Sequence, residues 1–257
     1  MLDASSDPVH FPHMPSAARK LNEQTFIWFG GDMFQPTPEG ALWWQAQKTL
    51  IVSDLHLEKG SSYARRGQLL PPYDTGATLA LVERLAGQFA PDRIISLGDS
   101  FHDALSEERL AETDIARIRE LTGSCDWFWV EGNHDPEPPA HLGGRGVTTL
   151  RVGDCVFRHE PTGARGEISG HLHPVARIGG RGRSVRRKCF VTDGHQMIMP
   201  SLGTLTGGLN VLDDAVTSCF AEFPSIFVTG GRNVYLADAR TLKSDVSDRG
   251  SNSGWRL

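Results

Sequence analysis

The chain has 257 residues, of which 39% are hydrophobic and 22% are charged, so it is long enough to bury a core and has the composition of a globular protein. Its formal net charge of −5 excludes a general attraction to nucleic acid or anionic membrane, and any binding of a polyanion must be local. No apolar run approaches transmembrane length, and the four separated cysteines form no C-x-x-C pair. These features predict a cytoplasmic protein with reduced thiols.

The first half of the chain alternates strand and helix signals. Three apolar runs are predicted strands: residues 49–53, 93–97 and 126–131. Between them, one helix is predicted to begin at Asp74 or Thr75 and a second at Ser106, since these side chains can cap a helix. This alternation favours a parallel sheet with helices packed on it.

The second half has short strand-like runs separated by glycine-rich turns. These runs cover residues 147–152, 154–158, 189–193, 226–229 and 233–237. They predict a second, more antiparallel sheet, so the expected fold is α/β, with two sheets packed face to face and flanked by helices. One domain is expected over 23–242, with flexible tails at 1–22 and 243–257.

Four short motifs carry side chains that bind metals. Three of them follow predicted strands: Asp54-Leu55-His56, Gly98-Asp99 and Gly132-Asn133-His134-Asp135. The fourth is Gly170-His171-Leu172-His173. Sites in open α/β sheets form beyond the carboxyl ends of strands, so these motifs are expected to meet at one edge.

The residue types suit divalent metals such as Mn²⁺, Fe²⁺ and Zn²⁺, which accept mixed carboxylate and imidazole ligands. Asp54 and His56 are two positions apart, a spacing that puts both side chains on one face of a strand. Asp99 could bridge two ions, and Asn133 offers a neutral oxygen. A single D-x-H motif is weak, because it is often a surface coincidence. The whole set favours a two-metal site that hydrolyses phosphate esters.

The motif set D-x-H, G-D, G-N-H-D, a lone histidine and G-H-x-H resembles the calcineurin-like binuclear metallophosphoesterase superfamily. The resemblance implies a four-layer sandwich of two mixed β-sheets flanked by helices, with the metals at its edge. It identifies the lone histidine as His159. The implied ligands of one metal are Asp54, His56, Asp99 and His173, and those of the other are Asp99, Asn133, His159 and His171, with Asp99 bridging.

The same resemblance gives His134 a catalytic role rather than a ligand role. It would stabilise the transition state or protonate the leaving oxygen, with Asp135 holding its imidazole. The nucleophile would be a metal-bound water or hydroxide that attacks phosphorus in line with the leaving group. The alternative is a structural histidine in a tight turn.

Further stretches resemble the ligase-associated DNA damage response endonuclease family. They are residues 57–67, 71–75, 97–103 and 202–210, and the likeness spans about residues 40 to 240. It implies a manganese-dependent phosphodiesterase, with Fe or Zn as other possible metals. The implied substrate is single-stranded DNA, cut in bacterial repair together with a ligase and a helicase. In this chain Gly98-Asp99-Ser100-Phe101-His102-Asp103 replaces the protein-phosphatase pattern G-D-x-x-D-R-G. His102 and Asp103 either orient ligands or begin the following loop.

Basic residues follow the first and last motifs. Arg65 and Arg66 are predicted to bind substrate. A second cluster contains Arg177, Arg181, Arg183, Arg186, Arg187 and Lys188. This cluster either lines the same rim and follows a phosphate backbone or is a solvated basic loop. Trp43 and Trp44 either stack on bases or, for at least one of them, belong to the core.

Two other functions remain open at the level of the sequence. One is hydrolysis of a small phosphoester such as a cyclic nucleotide, which would use the same metals without the basic clusters. The other is a scaffold that has lost catalysis, which is disfavoured because all expected ligand positions are filled. The chain contains no G-x-x-x-x-G-K-[ST], G-x-S-x-G or G-x-G-x-x-G motif of other enzyme classes.

Overall fold

The computed structural model describes residues 24–68, 73–135, 140–180 and 183–245. The first sheet contains β1 (Ile27–Phe29), β2 (Asp32–Pro36), β3 (Leu42–Trp44), β4 (Thr49–Val52), β5 (Arg93–Leu97), β6 (Asp126–Val130) and β7 (Arg145–Val147). The second contains β8 (Leu150–Val152), β9 (Cys155–Phe157), β10 (Glu167–Ser169), β11 (Val175–Gly180), β12 (Arg183–Thr192), β13 (Gln196–Ile198), β14 (Ser225–Thr229) and β15 (Val234–Leu236). The helices are α1 (Lys59–Arg65), α2 (Asp74–Phe89), α3 (Glu112–Ser124) and α4 (Asp214–Thr217).

Both sheets are mixed, as predicted. In the first sheet the strands follow chain order, with antiparallel pairing from β1 to β4 and parallel pairing from β4 to β7. In the second sheet the order is β15-β14-β12-β13-β10-β9-β8, and β11 pairs with β12 outside this path. The strand pairs β10–β13 and β10–β9 are parallel, whereas β12 is antiparallel to both β13 and β14.

Three apolar clusters separate the layers of this sandwich. Along β4, Leu50 and Val52 face the cluster under α2 and α3, whereas Ile51 faces the cluster between the two sheets. The third cluster covers the outer face of the second sheet and includes Val216 of α4. The alternation of side chains along a strand explains why nearly every residue of the central strands is apolar, since both faces are buried.

The two neighbouring tryptophans of β3 are both buried, one on each face. Trp43 stacks on Phe89 of α2 with ring centroids 5.0 Å apart, and Trp44 packs on Phe34 at 4.9 Å. Both tryptophans therefore belong to the core, which confirms the prediction that at least one of them does. Their burial leaves neither ring available to stack on bases.

Several predicted boundaries are wrong. Ser106 precedes a short 3-10 turn, and α3 begins at Glu112 after Ala111. The predicted strand 147–152 is divided between β7 and β8, which lie in different sheets. The predicted strand 189–193 is the inner part of a longer strand, β12. The tail 1–22 lies outside the described residues, as does 243–257 apart from 243–245.

The chain directions of the central strands bring the four motifs to one edge. Parallel β4, β5 and β6 end at Val52, Leu97 and Val130, directly before the first three motifs. The fourth motif follows β10, which ends at Ser169. Within the described ranges, no helix is both long and apolar enough to cross a membrane.

Candidate metal centre

Backbone hydrogen bonds tie the motif loops together. The His56 N–H donates to the Asp99 carbonyl oxygen at 2.9 Å, and the His134 N–H donates to Asp99 Oδ1 at 2.9 Å. The His171 N–H donates to Asp54 Oδ2 at 3.1 Å. Each loop is therefore held by a side chain or backbone group of another, so the donor atoms keep fixed relative positions.

Two clusters of donor atoms could each hold a metal ion. The first consists of Asp54, His56 and His173. Within it, His173 Nε2 lies 3.1 Å from Asp54 Oδ1 and 3.2 Å from His56 Nε2. Bonds from a metal to imidazole nitrogen are about 2.1 Å long, so neighbouring ligands of one ion lie about 3 Å apart, as these atoms do.

The second cluster consists of Asp99, His159 and His171, with Asn133 beside them. Asn133 Oδ1 lies 2.9 Å from His159 Nε2 and 3.0 Å from His171 Nδ1, and the two nitrogens are 3.1 Å apart. His159 Nδ1 lies 3.0 Å from the Leu97 carbonyl oxygen. A carbonyl only accepts hydrogen bonds, so Nδ1 carries a proton toward it and Nε2 points into the cluster.

Asp99 lies between the clusters and is buried. Its Oδ1 is 3.4 Å from His159 Nε2, and its Oδ2 is 3.8 Å from His56 Nε2. The two oxygens of one carboxylate thus face different clusters, which is the arrangement expected of a bridging ligand.

The backbone at this edge is held in an uncommon conformation. Five predicted ligands have a left-handed φ: Asp54 (51°), His56 (45°), Asp99 (45°), His171 (68°) and His173 (46°). Each such residue costs free energy that the surrounding structure must offset, and this strain is characteristic of functional sites. The predicted reason for the D-x-H spacing is therefore wrong, because Asp54 and His56 follow β4 in an irregular loop with left-handed φ and do not alternate along a strand.

The charges of the centre favour a bound cation. Burial opposes ionisation of Asp99, but hydrogen bonding and attraction from His159 hold its pKa at about 2. Burial also opposes the imidazolium of His159, yet Asp99 and Asp54 raise its pKa to about 9. Burial lowers the pKa of His56 to about 3, and its Nδ1 is buried without a hydrogen-bond partner among the described residues. The ionised Asp54 and Asp99 and the neutral His56 form a donor set that fits divalent metals, and a bound metal would replace the proton that the carboxylates hold on His159.

His134 lies beside both clusters and belongs to neither. Its Nε2 is 3.9 Å from Asp99 Oδ2, and its side chain is 43% exposed, so a substrate can reach it. Its ring stacks on His102, with centroids 5.4 Å apart and planes 17° apart, and meets His56 edge-on. His102 itself lies in the loop after β5, with its ring centroid 5.7 Å from that of His56.

Asp135 has a different partner from the expected one. Its Oδ2 accepts hydrogen bonds from the backbone N–H groups of Ser100 and Phe101 at 2.8 and 3.1 Å, and its Oδ1 has no partner in the described chain. Burial and the nearby Asp99 raise the pKa of Asp135 to about 7. Its carboxyl group therefore shapes the loop after β5 and does not hold the His134 imidazole.

The basic residues lie in different settings. Arg65 and Arg66 are exposed at the end of α1, and the charge of Arg66 helps to lower the pKa of His102, which is about 4 chiefly because of burial. Lys188 of the second basic cluster is partly buried, and its Nζ donates to the carbonyls of Leu202 and Gly203 at 3.2 and 3.1 Å, so this residue does not lie in a solvated loop. In the sequence, the apolar residues that directly follow Lys188 indicate that it lies at the end of a buried strand segment.

A methyl group at Gly98 is expected to damage the second cluster. A Cβ there would lie 2.7 Å from His159 Cβ and closer still to its ring, and φ is +70°. We expect Gly98→Ala to lose metal from the second cluster and to destabilise the fold by about 2 kcal/mol or more. Metal analysis and thermal unfolding measure the two effects.

Gly87→Ala is the matched control for this substitution. Gly87 lies in the exposed interior of α2 with open space around its Cβ position, so alanine should stabilise the helix by about 0.5–1 kcal/mol and leave metal content unchanged. Equal metal content in both variants would contradict the assignment of the second cluster.

Comparison with known proteins agrees with this geometry. The calcineurin-like phosphoesterase family matches residues 47–228, which is most of the chain. Among solved structures, the chain is similar to the Pseudomonas putida nuclease MPE, with 24% identity, a TM-score of 0.64, and coverage of 84% of this chain and 100% of the nuclease. At this identity, the similarity shows a shared fold. No match was found among curated proteins.

Proposed function

The chain belongs to the calcineurin-like phosphoesterase family and is a metal-dependent phosphoesterase, and we propose that it is a nuclease that hydrolyses phosphodiesters of DNA. The observation that carries the proposal is the pair of donor clusters joined by Asp99, with the partly exposed His134 directly beside them. The nuclease with the same fold supports the choice of substrate class.

The proposed ligands divide between two ions as the clusters do. Asp54, His56 and His173 would hold one ion, and His159, His171 and Asn133 the other, with Asp99 shared. The chemistry that a bound pair of divalent ions supplies is neutralisation of the phosphate and activation of water. The mixed oxygen and nitrogen donors suit Mn²⁺, which we propose as the metal, and also Fe²⁺ and Zn²⁺.

The protein's own groups would position the substrate and move one proton. His134 Nε2 would donate a proton to the leaving oxygen, and its stack on His102 would fix the plane of its ring. Arg66, at the end of α1, acts electrostatically on His102 and would attract a phosphate of the substrate, with Arg65 adding charge. From the resemblance in sequence we extend the proposal to single-stranded DNA, to bacterial DNA repair in the cytoplasm, and to functional association with a ligase and a helicase.

The proposal is tested by cleavage of circular single-stranded DNA with Mn²⁺, run beside bis(p-nitrophenyl) phosphate. We expect the circle to be opened, because a circle has no ends and only an endonuclease can linearise it. A chelator should abolish the reaction, and His141→Ala should leave it unchanged, since His141 pairs with Glu107 on the surface. Turnover of the small diester alone would reject DNA in favour of a small phosphodiester.

A further inference from the structure

A two-stranded arm extends from the second sheet. It consists of β11 and the outer half of β12, residues 183–188, which pair with each other along their whole length. Only the inner half of β12 pairs with β13 and β14. Residues 183–187 are exposed, so this half of β12 adds little to the core. β11 is supported on its outer side, where Ile178 bridges Leu242 and the Lys243 N–H donates to the Arg177 carbonyl oxygen at 2.8 Å. The outer half of β12 therefore forms the exposed side of the arm.

The arm carries cations and no carboxylates. Its basic residues are Arg177, Arg183, Arg186, Arg187 and Lys188, in a chain whose net charge is −5. Arg186 is paired with Asp245, whereas no described carboxylate pairs with Arg183 or Arg187. These two exposed arginines are four residues apart in one strand, so they lie on one face about 13 Å apart.

Between them on this face lies Val185, which is 50% exposed. A stripe of cation, apolar side chain and cation fits a polymer in which phosphates alternate with flat apolar groups. A single-stranded nucleic acid has this pattern, because its bases are unpaired and can contact apolar surfaces. An acidic protein segment would satisfy the charges and leave Val185 without a partner.

The base of the arm meets the metal centre through Arg186 and Lys188, which lie on the face opposite to Arg183 and Arg187. In the described chain only β11 pairs with residues 183–188, so a bound strand can pass from one face to the other across their free edge. Lys188 Nζ contacts the Gly203 carbonyl oxygen, and the Gly203 N–H donates to the Asp54 carbonyl oxygen at 3.2 Å. The Arg186 guanidinium donates to the carbonyl of Gly208, a residue packed against the His173 backbone. Residue 183 lies about 17 Å along the strand from Lys188. A small diester at the metals cannot reach that far, whereas a polynucleotide can.

We propose that this arm binds the phosphate backbone of single-stranded DNA outside the cleaved bond, through Arg183 and Arg187. This inference rests on the proposed nuclease function and adds to it a second binding surface. It assigns to the arm the affinity for long substrates and leaves the chemistry to the metal centre.

The test is the double variant Arg183→Gln/Arg187→Gln. Binding of a fluorescent oligothymidylate is measured by anisotropy in a chelator at several salt concentrations. Each contact with single-stranded DNA adds about 0.7 to the slope of log affinity against log salt, so the slope should fall by about 1.4. Between 1 M and 0.1 M salt, a slope difference of about 1.4 changes the affinity by a factor of about 25. The variant should therefore bind about 25-fold more weakly than the wild type at 0.1 M salt. KM for circular single-stranded DNA should rise with kcat unchanged, and turnover of bis(p-nitrophenyl) phosphate should not change.

Arg151→Gln/Arg165→Gln is the matched control, because it removes two exposed arginines away from the arm, one of them on the edge strand β8. An unchanged slope and KM in the arm variant, with DNA cleavage by the wild type, would overturn the inference alone. Loss of polyglutamate binding without a change in KM for DNA would instead assign the arm to an acidic protein. A wild type that cleaves only the small diester would overturn both the nuclease function and this inference.

Discussion

Replacing His134 by alanine is expected to preserve metal binding and to lower the rate of DNA cleavage by about 10²- to 10⁴-fold, the usual contribution of a general acid. The physical reason is position. His134 belongs to neither donor cluster, yet its Nε2 lies 3.9 Å from Asp99 Oδ2 and its side chain is open to solvent. Metal content and the rate of opening of circular single-stranded DNA measure the two halves of the expectation.

The leaving group separates proton donation from other roles of His134. A deoxyribose oxygen needs a proton to leave, whereas nitrophenolate leaves as an anion. We therefore expect His134→Ala to lose much less activity toward bis(p-nitrophenyl) phosphate than toward DNA. Full DNA cleavage by the variant would refute the role, and loss of bound metal would show that His134 is needed to build the centre. His141→Ala, a surface histidine paired with Glu107, controls for removal of an imidazole.

The meeting of the first three motifs at one edge could be predicted from sequence because it depends on local order, whereas His159 was identified only by the resemblance. Apolar runs that end at Val52, Leu97 and Val130 are strands buried on both faces, and in parallel strands the residues that follow share one edge. Neither step needs knowledge of distant contacts. The fourth motif follows β10, whose three residues are too few to give a periodic signal, so strand order alone does not predict its position.

What the sequence could not show depends on pairing between distant segments. The run 147–152 has no glycine or proline to divide it, and nothing local says that β7 joins one sheet and β8 the other. The short strands β1 to β3 are set by antiparallel pairing with one another and β4. The hydrogen bonds of Asp135 to Ser100 and Phe101 join segments 35 and 34 residues apart, so the neighbouring His134 was a reasonable but wrong partner.

Neutralising Asp99 is expected to have the largest effect on the centre as a whole. Asp99→Asn keeps the shape of the side chain but removes the charge that faces both clusters, at 3.4 Å from His159 Nε2 and 3.8 Å from His56 Nε2. We expect the metal content to fall below two per chain. Charge stabilisation by metals is worth several kcal/mol, so cleavage should slow by about 10³-fold or more.

Thermal unfolding gives a readout of this expectation that is independent of activity. An ion that binds only the folded chain at 100 times its Kd stabilises the fold by about 2.7 kcal/mol, so Mn²⁺ should raise the Tm of the wild type. The rise should be much smaller for Asp99→Asn. Asp126→Asn is the matched control, because this half-exposed carboxylate pairs with Arg145 at the opposite end of β6 and should leave the rise unchanged. An Asp99→Asn variant with two bound metals and an undiminished rise in Tm would contradict the bridging role, since both clusters would then be complete without the shared charge.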